Sequence, residues 1–268
     1  MKTIGFIGAG NMGGAIIKGI IASGIKAENV IVYDKNADAK KALCDECGAK
    51  GADEIGEVCS SDVIVLAVKP NVIYNVIDEI KDTFNKQAII ISIAAGQSLD
   101  KLTNAFGYDR IRLVRVMPNT PALVGEGMSA VCFNKVMQSA ENKDAAEFVV
   151  SLFSAIGKAE VVAENLMDAV TGVSGSSPAY VFMLIEAMAD AAVLGGMQRN
   201  QAYTFVAQAV LGSAKMVLES EKHPGELKDM VCSPGGTTIE AVKVLEEKGF
   251  RSAVMDAIDA CIKKSKSM

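Results

Sequence analysis

Gly8-Ala9-Gly10-Asn11-Met12-Gly13 is the stretch that decides the fold. It gives G-x-G-x-x-G directly after the apolar run Thr3–Ile7 and directly before a helical pattern carried by Ile16, Ile17, Ile20 and Ile21. A strand that breaks into glycines and restarts as a helix leaves free N–H groups and a positive dipole end at the turn, which suits phosphate. Gly8 permits the tight turn, Gly10 lets the backbone approach a pyrophosphate, and Gly13 lets helix and strand pack closely. Asp34 closes the next strand, Val30–Tyr33, where an acidic residue meets the adenosine ribose of a dinucleotide. That context, more than the string itself, separates a dinucleotide cradle from a turn that is merely rich in glycine.

Outward from this loop, strand and helix patterns alternate. Asn36–Cys47 reads as a helix stopped at Gly48, Asp62–Val68 as a β-branched strand ending before Pro70, and Asn71–Phe84 as a helix. Ala88–Ile93 and Ile111–Met117 are further apolar strands. Continuously apolar strands between helices imply a parallel sheet covered on both faces, the doubly wound α/β pattern. After about Val162 the texture changes: Ala, Met, Leu, Glu and Lys dominate, and Pro178–Leu194, Arg199–Glu221, Thr238–Lys248 and Ser252–Lys264 carry helical spacing. We therefore expect a dinucleotide-binding domain over residues 1–162 and an all-helical domain over residues 163–268.

Composition narrows the classes. In 268 residues, half are hydrophobic and 22% charged, with a formal net charge of -5, an ordinary globular balance. The only basic cluster, Lys263, Lys264 and Lys266, suits a helix end better than nucleic-acid binding. Ala179–Met197 is apolar but contains Glu186 and Asp190, so it reads as an interface helix and not a membrane span. Those two acids, at i, i+4, fit the polar edge of that helix better than paired acid–base catalysts. The amino-terminal apolar run lacks a secretory cleavage pattern, and six scattered cysteines fit a reducing cytoplasm. Cys44 and Cys47 form C-x-x-C, but with His223 the sole histidine no zinc ligand set assembles there, and no metal is expected. The 13 methionines fill irregular helix–helix gaps.

Asp34 would accept a hydrogen bond from an adenosine 2′-hydroxyl and repel a 2′-phosphate, favouring NAD, whereas Lys35 beside it could pair with that phosphate. The lean between NADH and NADPH is slight and toward NADH. A second unusual stretch is Cys232-Ser233-Pro234-Gly235-Gly236-Thr237-Thr238-Ile239-Glu240. Thr237 and Glu240 have capping-box spacing, which predicts a helix from about Thr238. Gly235 and Gly236 expose backbone N–H groups there, as a carboxylate site at a helix N-terminus would. On local grounds a plain helix cap and an anion site stand equal.

The run Pro224–Thr238, continuing to Leu245-Glu246, resembles the signature of pyrroline-5-carboxylate reductases. The resemblance extends along essentially the whole chain through FIGAGNMGGAI at Phe6–Ile16, AVKP at Ala67–Pro70, SIAAG at Ser92–Gly96, RVMPNTPALVGEGMSA at Arg115–Ala130 and TGVSGSSPAYVF at Thr171–Phe182. It implies a Rossmann-type doubly wound parallel-sheet domain followed by an all-helical dimerisation domain. It also implies a homodimer or a larger homo-oligomer built from dimers, and NAD(P)H-dependent reduction of the cyclic imine 1-pyrroline-5-carboxylate to L-proline. By the same resemblance, Gly8, Ala9, Gly10, Asn11 and Met12 bind the pyrophosphate. Ala67, Val68, Lys69, Pro70 and Ala94 line the nicotinamide-ribose side. Ser233, Gly236, Thr237 and Thr238 hold the substrate carboxylate, the Thr238 hydroxyl reaches the ring nitrogen, and Glu164 sits near the imine end. Two departures stand out: Ser177 where the family usually has Gly, and Glu54 where members often carry Asn near the adenosine ribose.

The chemistry agrees with that reading. A protonated cyclic imine is already electrophilic, so the protein must chiefly place the ring carbon and exclude water. Such a site needs N–H groups and hydroxyls and no catalytic Lys, His or Cys. His223, before Pro224 in a polar turn, reads as a surface or capping residue. The nearest rival, a β-hydroxy-acid dehydrogenase, needs a catalytic lysine on the first long helix of its second domain, yet no lysine stands between Lys158 and Lys215. A nucleotide-sensing module without catalysis would need the glycine loop but not the Ser233–Thr238 turn.

Overall fold

A computed structural model describes residues 2–267. Eight strands form one sheet in the order β3-β2-β1-β4-β5-β6-β7-β8. They are β1 (Ile4–Ile7), β2 (Val30–Tyr33), β3 (Lys50–Gly51), β4 (Val63–Leu66), β5 (Ile89–Ser92), β6 (Arg112–Met117), β7 (Gly127–Phe133) and β8 (Gly157–Val161). The first six follow the doubly wound dinucleotide-binding order, in which the chain steps to opposite sides of β1 and opens a crevice between β1 and β4. Every pairing is parallel except β6 with β7, which is antiparallel. The periodicity of the sequence did not reveal β7 or β8: Gly127–Phe133 mixes small and apolar residues, and Gly157–Val161 is a polar edge strand.

Side chains alternate residue by residue between two cores. Ile4, Phe6, Val63 and Val65 enter one cluster with Ile16, Ile17 and Ile20, while Ile7, Ile64 and Leu66 enter the other with Ile73, Ile77 and Ile80. The covering helices in this part are α1 (Asn11–Ala22), α2 (Ala37–Cys47), α3 (Ile55–Cys59), α4 (Ile73–Ile80), α5 (Leu99–Phe106), α6 (Lys143–Ser154) and the short α7 (Met167–Val170). Local chemistry sets their ends. The Asn36 side chain accepts from the Ala39 N–H to start α2, and Gly48 at φ 77° stops it. Cys44 and Cys47 pack from α2 onto the first core as small apolar groups.

The chain divides into two compact units, one running through Ser176 and resuming at Cys261, the other Ser177–Ala260. The texture change near residue 163 marks the end of the sheet, since β8 closes at Val161; the first unit continues through α7 and a π-helical turn, Thr171–Gly175. The second unit holds α8 (Ser177–Leu194), α9 (Arg199–Ser220), α10 (Pro224–Met230), α11 (Thr237–Glu247) and the first part of α12 (Phe250–Lys266). Helices α8 and α9 form a hairpin whose turn is spanned by the Arg199–Asp190 ion pair, which engages the Asp190 carboxylate. One apolar helical run, Glu164–Leu194, is long enough to cross a membrane, and only 6% of its most apolar window is buried.

Candidate active site

The glycine loop is built by steric necessity at two of its three glycines. Gly8 sits at φ 114°, where a Cβ would fall 2.3 Å from the Ala67 carbonyl oxygen, and a Cβ on Gly13 would fall 2.5 Å from the Gly8 oxygen. Gly10 is different: a side chain there would meet no protein atom within 4 Å. Its φ of -68° is one that any residue adopts, so nothing in the fold requires glycine. Open space over Gly10 is what close approach of a pyrophosphate requires. Gly10 is also the N-cap of α1 and supplies no capping side chain, so the first-turn N–H groups stay available to an anion.

The carboxyl ends of β4, β5 and β6 continue this loop into a cleft of about 480 Å³. It is lined by Gly10–Gly13, Ala67–Pro70, Ile93–Ala95, Met117–Thr120 and Gly175. A second pocket of about 150 Å³ meets the cleft at Val68 and includes Gly8, Tyr33, Asp34, Lys35, Ile55, Asn75 and Val76. The sequence-predicted residues Gly10, Asn11, Met12, Ala67, Val68, Lys69, Pro70 and Ala94 thus share one cleft, and Gly8, Asp34 and Lys35 share the pocket beside it. Met117, Pro118, Asn119, Thr120 and Gly175 were not singled out from sequence, although they lie in the motif blocks quoted above. For Pro118, Asn119 and Thr120 the position just beyond the end of β6 was the available signal. A larger groove of about 930 Å³ near α6 and the end of α1 contains none of the predicted residues.

The Asp34 carboxylate is held on both oxygens: Oδ2 accepts from the Ala9 N–H at 2.6 Å and Oδ1 from the Asn36 N–H at 2.8 Å. It therefore ties the glycine loop to the end of β2 and fixes a negative charge in the smaller pocket. Lys35 is exposed beside it, and among the described residues neither Lys35 nor Lys69 has a carboxylate partner. Glu54 is outside this pocket; the Glu57 carboxylate instead accepts from the Asp53 and Glu54 N–H groups at the start of α3. Glu164 is engaged within the first unit, where its Oε1 accepts from the Leu99 N–H at 2.6 Å and from Arg115 Nη1 at 3.4 Å. Arg115 is buried on β6, and the nearby Cys132 thiol on β7 is pushed up to about 11, chiefly by burial and secondarily by the Glu164 charge.

In the second unit the expected capping box is not formed, a correction to the sequence reading. Helix α11 begins at Thr237, one residue early, with Gly236 as N-cap and no capping side chain. The cause lies in the turn before it. Gly235 takes φ 66° and the Gly236 N–H donates to the Ser233 carbonyl, which brings the chain into the helix before Thr237 can cap it. A Cβ on Gly236 would fall 2.4 Å from Ser233 Oγ and 3.1 Å from the Ser233 carbonyl oxygen, so the Ser233 side chain would have to turn away. Among the described residues the Thr237 and Thr238 hydroxyls have no hydrogen-bond partner, and the first-turn N–H groups have no side-chain cap. His223 is the N-cap of α10, its Nδ1 accepting from the Gly225 N–H at 3.0 Å.

A doubly wound sheet, a glycine cradle at its crossing point and a following helical unit define a nicotinamide-dinucleotide oxidoreductase. Residues 164–268 match the family model "Pyrroline-5-carboxylate reductase dimerisation", and residues 3–96 match "NADP oxidoreductase coenzyme F420-dependent". The chain is 55% identical to the pyrroline-5-carboxylate reductase of Escherichia coli over 100% of its length and 98% of the relative. It is 46% identical to that of Methanosarcina acetivorans with the same coverage. The chain belongs to the pyrroline-5-carboxylate reductase family. Among solved structures it matches the Coxiella burnetii enzyme with a TM-score of 0.90 and 34% identity, over 99% of this chain and 98% of that one. The Plasmodium falciparum enzyme, solved with NADP bound, gives 0.88 and 35%, over 99% and 97%. Prephenate dehydrogenase of Aquifex aeolicus, at 18% identity and a TM-score of 0.57 over 94% and 98%, shares the fold alone.

Proposed function

We propose that this chain reduces 1-pyrroline-5-carboxylate to L-proline with NADH or NADPH, the last step of proline biosynthesis. The observation that carries the reading is a pair of helix N-termini without capping side chains, α1 in the first unit and α11 in the second. Each suits one anion: the cofactor pyrophosphate at Gly8–Met12, and the substrate carboxylate at Ser233, Gly236, Thr237 and Thr238. The bound nicotinamide supplies the hydride. Ala67–Pro70 and Ala94 orient its ribose side, and the Thr238 hydroxyl donates to the ring nitrogen. Glu164 lies near the imine end, its Oε1 held by the Leu99 N–H and by Arg115. The protonated imine needs no stronger acid, and His223 is occupied as the N-cap of α10.

The fixed Asp34 carboxylate supports a modest preference for NADH, with Lys35 softening it. The assembly is a homodimer or a larger oligomer of dimers. Phe182, Met183, Phe205 and Leu218 on α8 and α9 are each more than 60% exposed, and a matching copy would cover them. Six free thiols fit a cytoplasmic setting. The test is cofactor oxidation with pyrroline-5-carboxylate, run with NADH and NADPH in parallel. Turnover with either supports the activity; none with both overturns it, and an NADPH preference above about tenfold overturns the cofactor lean.

A further inference from the structure

Asn119 is the buried polar residue of the cleft whose bonds neither the cofactor nor the substrate assignment uses. It stands two residues past β6 and is 9% exposed. Its Oδ1 accepts from the Met128 N–H at 2.8 Å, and its Nδ2 donates to the Ser174 carbonyl at 3.3 Å and the Ser174 hydroxyl at 3.4 Å. One amide therefore joins three segments: the end of β6, the start of β7 and the π-helical turn Thr171–Gly175.

The third of these is the unusual one. A π turn is rare and occurs mostly as a single turn, frequently at a functional site. Here the Ser174 carbonyl is taken by Asn119. The next residue, Gly175, lies against β6 so closely that a Cβ would fall 2.5 Å from the Met117 methyl carbon. Met117 and Gly175 both line the cleft, at the end away from the Asp34 pocket. In a doubly wound cradle that end receives the nicotinamide.

We propose that Asn119 is a positioning residue for hydride transfer: by clamping the π turn onto the end of β6 it sets the width of the cleft where the nicotinamide ring lies. This rests on the reductase reading above. Reaction depends steeply on such placement, since about 1 Å of displacement costs roughly a hundredfold in rate. A purely structural amide would affect stability and leave the chemical step alone.

Asn119→Asp separates the two roles. It keeps the acceptor for Met128 and loses the donor to Ser174. We expect kcat with pyrroline-5-carboxylate to fall about tenfold or more, with cofactor Kd changed by less than about threefold. The kinetic isotope effect from C4-deuterated cofactor on kcat should rise, because the hydride step becomes limiting. Ser174→Ala, which leaves the Met128 bond and the carbonyl acceptor intact, should lower kcat by about two- to fivefold without moving Tm. Unchanged kcat and isotope effect in Asn119→Asp, with stability alone reduced, would overturn the proposal. If Asn119→Asp does not fold, Asn119→Gln, which keeps the amide but displaces it by one methylene, decides, and an unchanged kcat and isotope effect there is the overturning result. An inactive wild-type enzyme instead defeats the reductase reading, which keeps the two failures apart.

Discussion

The glycine loop at Gly8–Gly13 and the turn at Ser233–Thr238 both deliver a chain into an uncapped helix, yet they differ in how fully the fold explains them. Gly8 and Gly13 are required by contacts inside the first unit, and Gly10 alone is left to a ligand. In the second turn Gly235 is required by its φ of 66°, while among the described residues the two threonine hydroxyls are left without partners. The units repeat the contrast. The sheet-bearing unit buries the aliphatic side chains of its inner strands on two faces, whereas Leu194 of the helical unit is 91% exposed. The first unit accounts for its own residues; the second has a surface that makes sense only with something against it.

The comparison can be broken at several points. The largest effect is expected at Gly8: valine there meets both a left-handed φ and the Ala67 carbonyl, and should cost at least about 3 kcal/mol in denaturant unfolding. Gly10→Ala should be the opposite kind of change. Stability should stay within about 1 kcal/mol, while cofactor Kd, read by fluorescence titration, rises about tenfold. If Gly10→Ala binds cofactor normally, the loop's one unexplained glycine is not a ligand position.

Burial in the first unit is also readable by pH. The Cys132 thiol, raised from 9.0 to about 11, holds its proton more tightly folded than unfolded. Its contribution is therefore full below pH 9 and is lost as pH rises toward 11, because the unfolded chain releases that proton first. Tm should fall over that interval, and Cys132→Ala should flatten the decline. The smallest effect is expected at Thr237. With no cap formed, Thr237→Ala should change stability by less than about 0.5 kcal/mol, whereas loss of a working N-cap typically costs about 1.

Much of this was legible in the sequence, for physical reasons that differ by region. β1, β4 and β5 read clearly because they are buried on both faces, so their residues are almost all apolar. The cradle read clearly because strand, glycines, helix and Asp34 all had to agree. What did not read was set by tertiary context. Gly157–Val161 became a strand only by pairing with β7, and α11 started early because of a glycine turn that spacing rules do not see. Asn119 stayed silent because its work lies in three bonds to segments distant in the chain. Lys35 and Asp34 gave opposing cues because both do face the same pocket.

If the turn before α11 holds the substrate carboxylate, Thr238 contributes to the chemical step and not to cofactor binding. Thr238→Ala tests it most directly, with kcat for pyrroline-5-carboxylate and cofactor Kd measured on the same preparation. The account predicts that kcat drops by about a hundredfold while cofactor Kd stays within about twofold. Wild-type turnover in that variant would contradict it.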